Sequence, residues 1–457
     1  MDTQRLILLF IFSFSLLMLW EAWDRENRPK PAPAKPAAQK GVPAPKPAPG
    51  SAPQPAPSSV PAAETSSTGE IIRITTDLVA ADIDTLGGTL KRLELLRHKD
   101  SKDSTKNLVL FGPEHHYEAQ SGITGDAGPN HRTLWQARPG ERSLGAGQNA
   151  LELRLVAQGR DGLEVEKVYV FRRDSYVIDI SFELRNKGSA PVAAYAYVQL
   201  THDGRPDVEG NSVADTFGAQ SFIGFALYTE ERKFEKVHLS DLDKAKGEVA
   251  RHANNGWLAF VQHYFVSAAL PPSGVERDYV IEKRPDGTYA GRVLIPAGAA
   301  PGESTKVAAA LYAGPQEQSR LQAAAPGLDL VVDYGWLTII AWPLFWLLQK
   351  FHALSGNWGV AIILLTVLIK LVFFPLSAAS YKSMAKMKLI TPRLTKLREM
   401  YGQDRQKMNQ AMMELYKTEK INPLGGCFPI LVQIPVFIAL YWVLLAAIEL
   451  RHAPFML

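Results

Sequence analysis

The sequence contains a single cysteine, Cys427, among 457 residues. One cysteine cannot form a disulfide within the chain, and it cannot supply a CxxC redox pair or a cysteine-based zinc site. Motifs for phosphate binding or hydrolysis are also missing, because there is no glycine-rich phosphate loop, no GxSxG and no HExxH. His115 and His116 are adjacent, which does not match a metal-ligand spacing. These absences predict a protein that is not an enzyme, with no metal, no cofactor and no DNA partner.

Net charge is also small, since the formal value for the whole chain is +4. The charge is unevenly distributed. Residues 377–424 hold ten Lys or Arg against four Asp or Glu, so this segment is +6 and the rest of the chain is −2. A basic loop between apolar segments is typically cytoplasmic in membrane proteins.

The N-terminal region is apolar and then rich in proline. Residues 6–20 form an apolar run with no small-x-small cleavage site after it, which favours an uncleaved anchor, residues 1–24, over a signal peptide. Residues 25–69 form a linker, because 12 of the 31 prolines fall within residues 29–61. Such a segment cannot bury a core and is expected to be an extended spacer.

Residues 70–325 are predicted to form one large antiparallel β-sandwich. Apolar and polar residues alternate in several short stretches, for example at 151–155 and 176–182. Turn signals such as Asp161-Gly162 separate these stretches, and no helices interleave them. The charged residues 230–252 are predicted to hold either a short helix or a solvated loop.

The C-terminal third contains three apolar segments. Residues 356–376 and 427–448 are predicted to cross the membrane. Residues 326–353 would also satisfy a spanning window, but two successive crossings would put the basic loop outside. We therefore predict that residues 326–353 form an amphipathic helix at the outer interface, and that residues 449–457 lie outside.

The basic segment, residues 377–424, is predicted to be a cytoplasmic hairpin of two helices. Apolar residues, among them Met384 and Met387, recur at helical spacing on both sides of a turn at residues 402–404. Its basic side chains contact anionic lipid, contact ribosomal RNA, or are merely solvated. These basic residues include Lys382, Lys386, Lys388 and Arg393.

Lys370 is the one charged residue in the apolar run 358–376. A charge near the bilayer centre costs roughly 2.5–3.5 kcal/mol on insertion scales, so such a residue usually faces a protein interior or a watery cavity. Thr366 lies one helical turn away, and Gln433 lies at a similar depth in the second span. This favours a polar recess open to the cytoplasm. The alternatives are that Lys370 snorkels, that Gln433 bonds a neighbouring helix, and that Thr366 bonds its own backbone.

Three stretches of the sequence resemble the YidC family of bacterial membrane protein insertases. They are TVLIKLVFFPLSAASYKSMAKMK at 366–388, INPLGGCFPILVQIPVFIALYW at 421–442 and ELRHAPF at 449–455. The resemblance implies an inner-membrane protein with a periplasmic β-supersandwich and a helical transmembrane core. It also implies insertion and folding of nascent membrane proteins, alone or with the Sec translocon, with the ribosome and signal recognition machinery as further partners of the hairpin.

The resemblance further implies a hydrophilic groove with a basic residue, and Lys370 stands at that position. Similar sequences mostly carry arginine there. Lys370 keeps the positive charge of that arginine but lacks its bidentate hydrogen-bonding geometry. Substrate helices would leave along Ile434, Pro435 and Phe437. The family core has five spanning helices, whereas two fall within this sequence, so a truncated chain is expected. The alternatives are a membrane-tethered periplasmic binding domain and a non-catalytic accessory subunit of a translocase.

Overall fold

The computed structural model describes residues 69–101, 103–125, 128–205, 222–244, 248–401, 405–419 and 428–455. The predicted anchor of residues 1–24 and nearly all of the predicted linker, residues 25–69, lie outside the described residues. Cys427 and residues 420–424 at the end of the predicted hairpin do so as well.

Residues 71–315 contain the strands of the structure. In chain order they are β1 Ile71–Thr75, β2 Val79–Asp84, β3 Thr89–Lys99, β4 Asn107–Phe111, β5 Glu118–Ile123, β6 Gln136–Ala137, β7 Ala150–Gln158, β8 Leu163–Arg172, β9 Val177–Asn186, β10 Tyr195–His202, β11 Gly224–Thr229, β12 Lys233–His238, β13 Glu248–Ala253, β14 Trp257–Val261, β15 Phe265–Leu270, β16 Arg277–Lys283, β17 Tyr289–Pro296 and β18 Ser304–Pro315.

Within the described residues these strands pair antiparallel in two sheets of nine strands each. The first sheet has the order β1-β2-β3-β5-β10-β17-β16-β13, with β4 paired to β3. The second has the order β12-β11-β14-β15-β18-β9-β8-β7-β6. The predicted antiparallel sandwich is confirmed at this level.

Side-chain alternation explains why these segments form the sandwich. In β7 and β9 every second residue is buried and the residues between them are exposed or half-buried. Successive side chains of a strand point to opposite faces, so one face of each strand enters the core. Asp161 and Gly162, between β7 and β8, have φ values of 56° and 78°. This left-handed backbone is what the Asp-Gly turn signal predicts.

A lysine connects the two sheets from inside the core. Lys167 on β8 takes an inward position and is fully buried. Its Nζ donates to the carbonyls of Gly87, Gly88 and Ser121 at 2.8, 3.2 and 2.8 Å, all on the facing sheet or its turn. Burial lowers the pKa of Lys167 well below its usual value. The three acceptors use all three donors of an ammonium group.

The charged segment 230–252 is only partly a loop. It contains β12, a short helix α1, Leu239–Lys244, and most of β13. The short helix agrees with one of the two predicted alternatives. The two strands were missed because they lie at sheet edges and Val237 is their one buried residue, so their sequences contain too few apolar residues to show the alternation of a strand.

The remaining described helices follow the strands. They are α2 Gln318–Ala324, α3 Thr338–Ser355, α4 Trp358–Val372, α5 Phe374–Tyr401, α6 Arg405–Thr418 and α7 Phe428–Ala446, with short 3₁₀ turns at Leu328–Val331, Gly335–Leu337 and Ile448–Leu450.

The chain bends by 57° between α4 and α5, at Phe373. The predicted span runs to residue 376, whereas α4 ends at Val372. Pro375 accounts for this difference, because a continuous helix would need its missing N–H to bond the carbonyl of Leu371. In the first turn of α5 no such bond is required.

A second apolar core joins α3, α4 and α7. Buried residues from all three helices form it, namely Ala341, Leu344, Phe345, Leu348, Ala361, Leu365, Ile369, Ala439, Leu440, Trp442 and Val443. Side chains on the opposite face of α3 are exposed, including Trp336 in the preceding turn, Trp342 and Trp346.

One described helical segment, Gly335–Ser355, is by itself long and apolar enough to cross a membrane. The pair α4 and α5 passes the same test only if it is counted as one bent span. Residues Leu431–Ala446 of α7 form a shorter apolar helix. The structure contains no membrane, so the predicted interfacial position of residues 326–353 stays a prediction.

Candidate functional site

Lys370 lies in the last turn of α4 and faces α7. Its side chain is exposed, and its Nζ lies 5.1 Å from the centre of the Phe437 ring. Among the described residues it has no ion pair and no hydrogen-bond acceptor. A cation over an aromatic face is attracted by about 0.5–2 kcal/mol. The structure therefore brings two of the predicted site residues together and leaves the charge without a counter-ion.

Thr366 lies one turn before Lys370 and is half-buried. Its Oγ1 donates to the carbonyl of Ile362 at 2.8 Å. This hydrogen bond is the one expected from the alternative prediction that Thr366 bonds the backbone of its own helix. One lone pair of the oxygen remains for a further donor, because a hydroxyl accepts as well as donates.

Gln433 lies in the first half of α7 and is half-buried. Its Nε2 is buried and has no hydrogen-bond partner among the residues that the structure describes. A buried donor without a partner costs roughly 1–3 kcal/mol. The predicted bond from Gln433 to a neighbouring helix is therefore not made by this nitrogen within the described chain.

The three residues predicted to contact substrate helices are all half-buried. Ile434 and Pro435 follow Gln433, and Phe437 packs against the core of α3, α4 and α7. Neighbouring side chains on the two spans are more exposed, among them Val367, Leu371 and Leu431.

The predicted hairpin residues divide by helix face. Lys382, Lys386, Lys388 and Arg393 are exposed, and Arg393 donates to Glu419 at the end of α6. Met387 is half-buried, whereas Met384 is exposed. Among the residues of α5 whose burial is described, Ile390 is the most buried, at 4% exposed, and it was not among the predicted hairpin residues. The sequence did contain the signal, because Ile390 stands three residues after Met387 and four before Leu394.

One further polar cluster lies in the β domain. His115, His202 and Asp203 bring three potential metal-ligand atoms within 4.8 Å of one another. Burial lowers the pKa of His202 to about 4, so its ring is neutral. Its Nδ1 accepts from the backbone N–H of Gly204 at 2.8 Å, and Asp203 accepts two bonds from Arg205. The bond from Gly204 takes the Nδ1 lone pair of the neutral His202 ring and leaves the ring proton on Nε2, so His202 has no free lone pair for a metal. Because 86 residues separate His115 from His202, no local pattern could have revealed the cluster.

Comparison with known proteins gives the family. A model described as the YidC periplasmic domain matches residues 71–347, and one described as 60Kd inner membrane protein matches residues 350–457. The chain is 49% identical over 479 residues to the membrane protein insertase YidC of Nitrosospira multiformis. It is 50% identical over 464 residues to that of Aromatoleum aromaticum. Each alignment covers 100% of this chain and 83% of the relative. The chain belongs to the YidC family of membrane protein insertases.

Membership in the YidC family decides between the alternatives left by the sequence. It favours an insertase over a tethered binding domain or an accessory subunit, and the family consists of insertases rather than enzymes. The family models also indicate an inner-membrane protein with a periplasmic domain.

Some solved structures match about half of this chain at low sequence identity. A galactose mutarotase related enzyme from Lactobacillus acidophilus is 8% identical, covers 53% of this chain and 97% of its own, and gives a TM-score of 0.35. A putative aldose 1-epimerase from Escherichia coli is 11% identical with a TM-score of 0.32, covering 53% of this chain and 98% of its own. Likeness at this level carries no argument about function.

Proposed function

We propose that this insertase receives the polar part of a nascent membrane protein in a groove between α4 and α7, with Lys370 as the residue that attracts it. The observation that carries the proposal is the position of Lys370 over Phe437, with no anionic partner among the described residues. A basic side chain kept unpaired on an otherwise apolar helix is free to pair with acidic residues of a substrate.

The contact between Lys370 and Phe437 is weak enough to be broken and re-formed. A cation–π contact of about 0.5–2 kcal/mol is weak enough to be exchanged for a carboxylate of the substrate. A long-lived ion pair inside the chain would instead compete with every substrate. Lys370 therefore holds a translocating acidic segment only transiently.

Gln433 and Thr366 supply the neutral polar surface of the proposed groove. The Nε2 of Gln433 is buried without a partner among the described residues, and it can donate to a substrate carbonyl or to water once the groove widens enough to expose it. The Oγ1 of Thr366 already donates to its own helix, so its contribution is limited to accepting a bond. Water held by these groups shortens the path over which polar substrate groups lack solvation.

The apolar part of a substrate would leave along α7. Ile434, Pro435 and Phe437 follow Gln433, and they offer half-buried apolar surface next to the groove. A substrate helix can pack there while its polar end remains near Lys370. This arrangement lets one segment keep both polar and apolar contacts as it moves into lipid.

We also propose the membrane arrangement. The anchor (1–24) and the spans 356–376 and 427–448 cross the inner membrane, so the protein is multi-pass. Trp342 and Trp346 on the exposed face of α3, and Trp336 in the preceding turn, support a place at the outer interface, because tryptophan is enriched there. Nearby, Lys350 lies 5.6 Å from the Trp346 ring.

The cytoplasmic hairpin is the proposed meeting point for partners. Its exposed basic residues Lys382, Lys386, Lys388 and Arg393 suit anionic lipid at about 1 kcal/mol per residue near the surface. The same charges suit ribosomal RNA and the signal recognition machinery. Cooperation with the Sec translocon is part of the proposal and rests on the family.

The experiment reverses the charge at the proposed site. We expect Lys370→Glu to abolish most insertion of a single-span substrate with an acidic outer tail, because the glutamate would repel the acidic side chains that Lys370 attracts. Lys370→Arg should retain insertion. Protease protection of the tail in proteoliposomes measures the outcome.

The matched control is Lys350→Glu, which makes the same charge change on an exposed lysine of α3. It should leave insertion of the same substrate unchanged. A substrate with a neutral tail should be much less sensitive to Lys370→Glu. Equal insertion of the acidic substrate by the parent and by Lys370→Glu would refute the charge mechanism.

A further inference from the structure

Residues 448–455, here called the bridge segment, follow α7 after Ala447 and contact the β domain, α2 and α4. They continue the chain from the end of the helix that carries Gln433 and Phe437. The first half of the segment lies on the β domain, and the second half lies on the beginning of α4.

The contact with the β domain is mainly apolar and aromatic. Ile448 is 3% exposed and belongs to the same core as the two sheets. The guanidinium of Arg451 lies 5.7 Å from the Tyr264 ring and 5.6 Å from the Phe265 ring. Glu449 is hydrogen-bonded to the backbone of Gln318 on α2. A single turn of chain thus enters the core of the sandwich.

The contact with α4 involves its first residues. The side chain of Asn357 caps this helix, since its Oδ1 accepts from the N–H of Val360 at 3.2 Å. Its Nδ2 donates to the carbonyl of Pro454 at 3.2 Å. One amide therefore starts α4 and also holds the bridge segment.

Phe455, the last residue of the bridge segment, packs directly against Gly359 on α4. A Cβ placed on Gly359 would lie 1.8 Å from Cδ2 of Phe455, well inside contact distance. Only glycine lets the phenyl ring approach the helix this closely. The ring covers the helix at the end opposite to Lys370.

We propose that the bridge segment positions α4 and α7 relative to each other and to the β domain, with Arg451 and Phe455 as its positioning residues. Both helices end on it at their outer ends, and Lys370 and Phe437 face each other further in. A helix held at one end by a fixed contact transmits that position along its length. The β domain then serves as the base on which the spacing of the two helices is set.

The proposal predicts a distance that can be measured without an activity assay. Spin labels at the exposed positions Ile363 and Leu431, in a Cys427→Ser background, report the separation of α4 and α7 in the full chain in nanodiscs. Phe455→Ala should broaden and shift the distance distribution. Arg451→Ala, which releases the other half of the bridge segment, should do the same, and Arg451→Lys should restore part of the order.

A double-mutant cycle distinguishes a specific contact from general loss of stability. Gly359→Ala alone should displace Phe455 and shift the distance as Phe455→Ala does. In the Phe455→Ala background the added methyl group has room, so Gly359→Ala should cause no further shift. Leu354→Ala, which truncates an 81% exposed residue near the same end of the molecule, should leave the distance unchanged.

Two results would overturn the proposal, namely an unchanged distance in Phe455→Ala and Gly359→Ala, or shifts that add in the double variant. The predicted change in distance does not depend on the proposed groove function. The proposed function adds one consequence, namely reduced insertion in both single variants. A shifted distance with normal insertion would keep the bridge and count against the groove instead.

Discussion

Two lysines in apolar surroundings illustrate how partners decide a residue's role. Lys167 is fully buried, and three backbone carbonyls of the facing sheet satisfy its ammonium group. Lys370 is exposed on its helix, and it has an aromatic ring rather than an acceptor beside it. The first residue therefore stabilises the fold, whereas the second is available to a substrate.

For Lys167 we expect a large loss of stability on truncation. Lys167→Ala leaves a cavity and three buried carbonyls without donors, which should cost roughly 3–5 kcal/mol. Lys187→Ala serves as the control, because this side chain is 65% exposed and only pairs with Glu164 at the surface. Chemical denaturation of the isolated β domain measures both. A loss below about 1 kcal/mol for Lys167→Ala would contradict the structural role.

Glu449 predicts a dependence of stability on pH. Burial, with a smaller contribution from the nearby Glu317 carboxylate, raises the pKa of Glu449 from 4.5 to about 7, although the backbone of Gln318 donates to it. The folded protein thus binds a proton more tightly than the unfolded chain. This stabilisation is complete below pH 4.5 and is lost as the pH rises through about 7.

Glu449→Gln should remove that dependence. The amide has no charge to bury and keeps an oxygen for the N–H of Gln318. We expect the variant to be more stable than the parent at pH 8 and to show a smaller decline between pH 5 and pH 8. Thermal unfolding of the detergent-solubilised chain checks this. The same decline in both proteins would mean that another group causes it.

At the scale of elements, proline and apolar spacing determine where the C-terminal helices begin and pack. Pro375 separates α4 from α5 and so ends the first predicted span before residue 376. On α5, Ile390 completes the apolar stripe that includes Met387 and Leu394, and it is the buried member. The hairpin pairing itself remains a prediction, supported by the contact between Arg393 and Glu419.

Adjacent residues of α5 allow a matched test of this stripe. Ile390→Ala removes a side chain that is 4% exposed, and we expect a loss of about 2 kcal/mol in local stability. Leu389→Ala removes one that is 79% exposed and should change little. Hydrogen exchange of the α5 amides reports both. Equal protection in the two variants would argue against a packed stripe.

At the scale of the whole molecule, residues that follow the predicted β domain complete its core. Leu328 and Val331 lie beyond residue 325, yet they are 0% and 3% exposed and belong to the core of the sandwich. Trp257 on β14 also donates its indole N–H to the carbonyl of Pro326 at 3.1 Å. Lys236 on β12 forms an ion pair with Asp333.

These contacts predict the stability of excised fragments. A fragment of residues 70–332 should be more stable than one of residues 70–325 by about 2–4 kcal/mol, because two further apolar side chains are buried. Urea denaturation of the two fragments measures the difference. Equal midpoints would show that the added segment does not pack on the isolated domain.

The sequence by itself determined the kinds of elements and the family. Alternation of period two gave β7 and β9, apolar runs gave α4 and α7, and the stretches at 366–388 and 421–442 identified the insertase family. Side-chain direction repeats with the backbone, so a local pattern reports which face of an element is apolar. Lys370 could be singled out for the same reason, since one charge within an apolar run is a local feature.

Only the tertiary structure decided which distant residues meet. It joined Lys370 to Phe437, His115 to His202 and Phe455 to Gly359, and it set the order of strands in the two sheets. Such contacts depend on the register and packing of whole elements. Many apolar faces have similar composition, so several ways of pairing them would be almost equally favourable. The choice among them is made by the fit of the complete core, which no local window of the sequence contains.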